Sequence, residues 1–135
     1  MIQIYAACDG NWSEPEVKVS GSAKFLSNNL GDLLNEVTNS ISTSLSTSKD
    51  KFYPISIPTL VIELEYSGNE HLTVIVDKNQ FILKGTNFAF NKLGDSLINY
   101  FYFGANVGEH FHLDYYEGNQ ILNYTNCHLI FVCDR

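Results

Sequence analysis

Two imidazoles and a carboxylate alternate along His110-Phe111-His112-Leu113-Asp114, and Tyr115-Tyr116 follow directly. On a β-strand successive side chains point to opposite faces. His110, His112, Asp114 and Tyr116 then share one face, and Phe111, Leu113 and Tyr115 share the other. The first face is a stripe that could aim three ligands at one metal ion. A zinc site needs further ligands and outer partners that orient them, and His71 or His128 supplies one only if folding brings it close. Without that help the stripe is an exposed polar surface. Glu109, Asp114 and Glu117 offer carboxylates for acid–base work, yet on a strand they need not face one pocket. The chain has no Gly-x-Ser-x-Gly elbow, no His-Glu-x-x-His helix and no glycine-rich phosphate loop. Catalysis therefore lacks its supporting apparatus. The residues point to a non-enzymatic protein without cofactor or resident metal.

The stripe has to be positioned by the rest of the chain. Ile2 to Cys8 and Glu16 to Ser20 read as strands, with Val17 and Val19 on one side, and Gly21 ends the second. A helix is expected over 24–39, where Leu26, Leu30, Leu33, Leu34, Val37 and Ile41 form an apolar stripe. Ser40 to Lys49 is almost all Ser and Thr and reads as a mobile loop. Three strands follow, over 60–66, 72–76 and 81–84, joined by turns at Ser67-Gly68-Asn69 and Asp77-Lys78-Asn79. A second helix over 87–103 buries Phe90, Leu93, Leu97, Ile98 and Phe101, and Gly104 can cap it. The histidine strand comes next and runs into a Gly118-Asn119 turn. A loop over 120–126 and a closing strand over 127–133 complete the chain.

Two halves of the sequence resemble each other. Each carries a strand ending in glycine, then a helix with Leu-Gly-Asp (Leu30-Gly31-Asp32, Leu93-Gly94-Asp95), then an alternating strand and a Gly-Asn turn. Matching the halves, 15–76 with 80–133, sets Ile62 against Phe111, Leu64 against Leu113, Glu63 against His112 and Glu65 against Asp114. The expected fold is a single α+β domain over 1–135. It has a mostly antiparallel sheet of about seven strands with both helices on one face, built from two repeated ββαβ units. The opposite face would show Glu63, Glu65, His110, His112 and Asp114.

The chain has 135 residues and a formal charge of −7. Such acidity disfavours nucleic-acid binding and favours encounter with a basic protein. Cys8, Cys127 and Cys133 do not form a disulfide framework, and reduced structural thiols suit a reducing compartment. No apolar run approaches the length of a membrane helix and the first residues carry no signal-peptide pattern, so a cytoplasmic protein with no membrane partner is expected.

Gly108-x-His110-x-His112-Leu113-Asp114-Tyr115-Tyr116-x-Gly118-Asn119, followed by Leu129-Ile130-Phe131, is similar to the C-terminal motif of immunity protein family 32 of bacterial polymorphic toxin systems. The resemblance takes in the preceding strand, Gly85 and the second helix, roughly the last half of the chain, and reaches the first half only through the repeat. It implies a small α+β protein that binds and neutralises a cognate toxin. With the negative charge, it gives Glu63, Glu65, Glu109, His110, His112, Asp114 and Tyr116 as partner-binding residues. The toxin would be basic. The alternative is a small-ligand or metal-dependent enzyme that uses the His110/His112 stripe.

Overall fold

The computed structural model describes residues 2–47, 50–68, 70–101, 105–114 and 120–135. The chain begins with an antiparallel hairpin, β1 (Ile2–Cys8) and β2 (Glu16–Gly21). Val17 and Val19 point into the core as alternation requires. The Ser22 hydroxyl then accepts the Phe25 N–H at 3.1 Å, which caps the first helix. The second half opens the same way. The β6–β7 hairpin (Leu72–Asp77, Gln80–Gly85) ends at Gly85, and the Thr86 hydroxyl accepts the Ala89 N–H at 3.3 Å at the start of α2 (Asn87–Phe101).

The first helix is shorter and wider than its sequence predicts. A π-helical segment, Phe25–Gly31, runs into α1, Asp32–Asn35, and stops there. Leu26, Leu30 and Leu34 are all buried. In α2 the stripe of Phe90, Leu93, Leu97 and Phe101 is wholly buried, with Ile98 at its margin. Tyr102, Phe103 and Gly104, expected to end this helix, lie outside the described residues.

The largest departure from expectation is β3, Ile41–Ser46, which lies in the Ser/Thr segment read as a mobile loop. Only Leu45 is buried there, so side-chain burial does not hold the strand. An antiparallel ladder with β5 (Thr59–Leu64) does, pairing Ile41 with Ile62 and Ser44 with Thr59. Thr favours extended backbone, and a neighbouring strand supplies the hydrogen bonds that composition does not reveal. Two further short strands were also unexpected: β4 (Ile55–Ser56), on β1, and β9 (Leu122–Thr125), on β6, the latter inside the expected 120–126 loop. With β8 (His110–Leu113) and β10 (His128–Cys133) they complete the set.

The fold is α+β, with one mixed sheet of ten strands among the described residues instead of a mostly antiparallel sheet of about seven. The order is β8-β10-β2-β1-β3-β5-β7-β6-β9, with β4 beside β1. Parallel ladders join β10 to β2 and β5 to β7 through matching registers that end at Gly21 and Gly85. As folded, the order hairpin, helix, hairpin runs once through β1–β5 and again through β6–β10. In this order β5 corresponds to β10 and β3 to β8. The strand Leu60–Leu64 is thus the counterpart of the closing strand, not of the histidine strand.

Most buried side chains lie on one face of the sheet, under the helices, in a single cluster that includes Ile4, Val19, Leu60, Leu83, Phe90, Phe101 and Phe131. The outer face is partly exposed. The two helices cross at Gly31 and Gly94, the glycines of the two Leu-Gly-Asp segments. A Cβ on Gly94 would sit 2.8 Å from the Gly31 carbonyl oxygen, and one on Gly31 would sit 2.7 Å from Ile98 Cγ1. Beside the crossing, Asn35 Nδ2 donates to Asp95 Oδ1 at 3.2 Å.

Gly94→Ala tests this packing. In an exposed helix the change would be worth about 1 kcal/mol in favour of Ala. Here the methyl group meets backbone, and overpacking costs about 1–3 kcal/mol. Urea denaturation should show a net loss of stability, and a gain would refute close contact at the crossing.

Candidate functional site

The two ends of the sheet meet at a seam. β9 lies at one end of the strand order and β10 next to the other, yet only Asn126 and Cys127 separate them. Three Cα steps span at most about 11 Å, so the sheet curls until its ends approach. Asn126 fixes the join. Its side-chain carbonyl accepts the Val76 N–H and its amide donates to the Val76 carbonyl, both at 2.9 Å, so the side chain extends the β6 ladder. The Cys127 thiol is buried beside Thr125, and burial pushes it up to about 11, far from a reactive thiolate. All three cysteines are free and buried.

His128 stands at the seam as the first residue of β10. Its Nε2 lies 3.2 Å from Glu14 Oε1, on the β1–β2 loop, and its Nδ1 lies 3.3 Å from Asp114 Oδ1, just past β8. Carboxylates only accept, so both bonds need both ring nitrogens protonated. The Glu14 hydrogen bond, followed by that of Asp114, raises the His128 pKa above its ordinary value. In its protonated form the ring ties together three segments that are distant in sequence.

Two open hollows flank this residue, and a third lies beyond them. One, of about 220 Å³, is lined by Ser13, Glu14, Asp114 and Thr125 to His128. The second shares Asp114 and His128 and adds Glu16 and His112. The third shares Glu16 and continues past Asp9 to Phe52 and Tyr53. Carboxylates edge all three. Tyr53 donates its hydroxyl to Glu16 Oε1, and burial, followed by that bond, pushes its pKa well above the usual phenol range. Lys18 pairs with Asp50 and lies 5.0 Å above the Tyr53 ring. Its hydrogen bond holds the Asp50 carboxyl below the ordinary value. Phe52 is 74% exposed at the far end.

The strand alternation in the histidine stretch is as expected. Leu113 is buried and Phe111 half-buried against Phe131, while His110 and His112 are exposed with their rings 5.0 Å apart. The stripe does not converge on one point. His110 Nδ1 donates to the Gly108 carbonyl at 3.2 Å, and Asp114 reaches across to His128. Among the described residues no group of three or more His, Cys, Asp or Glu side chains is placed to hold a metal ion. Glu109 is exposed and accepts from Asn106 Nδ2 at 3.3 Å. Tyr116 lies outside the described residues.

Glu63 and Glu65 fall elsewhere. Glu63 is on β5, opposite Lys84 in the ladder with β7, and Glu65 follows the end of the strand. Between β8 and β5 lie β10, β2, β1 and β3, about 24 Å along the sheet at the usual strand spacing. The sequence therefore named two separate surfaces. It missed Glu14 and Glu16 and gave His128 only as a spare ligand. What unites them is the parallel ladder that sets His128 opposite Glu16, and no local sequence pattern announces a parallel pairing between such distant segments.

No family model, curated protein or solved structure matches the chain. No helix among the described residues is long and apolar enough to cross a membrane.

The His128 bridge predicts a pH dependence. A raised folded-state value stabilises the protein fully below the ordinary imidazole value of 6.5 and loses that contribution as pH rises through the folded value. Urea midpoints of the wild type and His128→Gln should therefore converge between mildly acidic and alkaline pH. Equal differences at both ends would show that the ring is not bridged as a cation.

Proposed function

We propose that this protein acts by binding, as an immunity protein that captures and neutralises a basic toxin domain. The observation that carries this reading is the set of neighbouring open hollows at and beside the seam, which Asp9, Glu14, Glu16 and Asp114 line with carboxylates. Open acidic surfaces steer a basic partner into encounter and discriminate against others. Exposed rings such as Phe52 and Trp12 are of the type that anchors protein interfaces. The family resemblance of the histidine motif supports the same reading, and so does the net charge of −7.

In this account the binding surface is these hollows together with Glu109, His110, His112 and Asp114, and Glu63 and Glu65 stand apart from it. The enzymatic alternative has less support, because His110 and His112 project from an exposed strand and the hollow that touches His112 is open. A cytoplasmic location belongs with the toxin-neutralising role and is proposed with it.

A tagged pull-down from the native organism, read by native mass spectrometry, should yield a stoichiometric basic protein. Reversing Glu14 and Asp114 together to Lys should slow its association by about tenfold or more at low salt, with the effect shrinking as salt rises. Reversing Glu63 and Glu65 should change association much less. The opposite ranking would move the interface to β5, and capture of no basic protein would remove the inhibitor reading.

A further inference from the structure

We propose that β8 is the strand onto which the partner docks, by adding an extended basic segment of its own chain to the edge of the sheet. The inference rests on the binding function proposed above and names its mode. Among the described residues β8 is the terminal strand of the order, pairs only with β10 and has no strand on its other side. The phase of the ladder shows which backbone groups face outward. The Cys133 N–H donates to the Glu109 carbonyl at 2.9 Å. In an antiparallel pair hydrogen-bonded positions recur every second residue, so Phe111 and Leu113 also turn their backbone groups toward β10. His110 and His112, opposite Val132 and Ile130, turn theirs away from the sheet.

Edge strands are commonly blunted by lysine, proline or a bulge. The residues of β8, His-Phe-His-Leu, include neither lysine nor proline, and the bulge beside them, where the Gly108 N–H and the Glu109 carbonyl both bond Cys133, lies before the strand, whose own ladder with β10 runs without a shift in register. Strand addition supplies affinity through backbone hydrogen bonds and specificity through alternate side chains. Here the flanking side chains are acidic. Glu109 precedes the strand, Asp114 follows it, and the hollow lined by Glu16, His112 and Asp114 opens beside it. An incoming strand with lysine or arginine at every second position would place its cations along that rim. A second copy of this chain carries the same net charge of −7 and the same acidic flanks, which disfavours self-pairing.

The experiment uses the intact protein, ¹⁵N-labelled, and the peptide acetyl-Lys-Val-Lys-Val-Lys-amide at about 1 mM, the weak end of specific recognition. The His110 and His112 amides should shift and their exchange with solvent should slow, while an otherwise identical glutamate peptide leaves them unmoved. His112→Pro removes the outward N–H as well as the imidazole and should weaken peptide binding by about tenfold or more beyond His112→Ala, which removes the imidazole alone. If His112→Pro lowers the thermal midpoint, His110→Pro, at the first position of the strand, serves instead. The inference is overturned if the β8 amides do not respond, if the proline variant binds as well as wild type, or if the shifts follow protein concentration without peptide, which would mark a second copy as the occupant. A basic partner captured equally well by wild type and His112→Pro would overturn strand addition and leave the inhibitor reading intact. Peptide addition to β8 without any captured partner would do the reverse.

Discussion

Where the first helix crosses α2, two backbones come into contact. Each glycine at the crossing, Gly31 and Gly94, leaves space that the other helix fills: a Cβ on Gly94 would meet the Gly31 main chain, and one on Gly31 would meet the Ile98 side chain. This close approach lets two helices cover the inner face of one broad sheet as a single layer. The helices follow Gly21-Ser22 and Gly85-Thr86, each a strand end succeeded by a hydroxyl cap. The parallel ladders β10–β2 and β5–β7 end at the same two glycines. Crossing, caps and ladders therefore constrain one another, and the matched order of elements in the two halves follows from them.

The seam is a consequence of this arrangement. A sheet of ten strands cannot stay flat under normal strand twist. Here it curls until β9 and β10 are separated by two residues. Closure is partial, with Asn126 pairing against Val76 at the join and His128 bridging Glu14 and Asp114 beside it. Carboxylates from the β1–β2 loop, β2 and the end of β8 gather there because the ladders deliver them to one place. The proposed function uses that unclosed part of the fold, where open hollows, edge strand and negative charge coincide.

Much of this architecture is legible in the sequence. Alternating Val17-x-Val19, Leu60-x-Ile62 and Phe81-x-Leu83 mark strands, and the paired Leu-Gly-Asp segments mark corresponding points on the two helices. Ile41–Ser46 is not legible, because its order comes from the ladder with β5 and not from its own side chains. The widened turns at Phe25–Gly31 are hidden too, since a four-residue leucine spacing reads as an ordinary helix. Matching Ile62 with Phe111 follows naturally from their flanking patterns, but the ladders set Ile62 beside Leu83 and Phe111 beside Phe131. Of the candidate site, the exposed face of His110 and His112 could be read from alternation. The meeting of Glu14, Asp114 and His128 could not, because it depends on long-range pairing that one sequence does not encode locally.

The central claim is that recognition takes place at the seam and its adjoining edge strand. Hydrogen–deuterium exchange of the protein, free and in complex with its captured partner, tests it most directly. The account predicts new protection at 109–114 and 126–128, with 61–65 and 82–84 unchanged. Protection confined to the β5–β7 surface, with the seam exchanging as in the free protein, would contradict it.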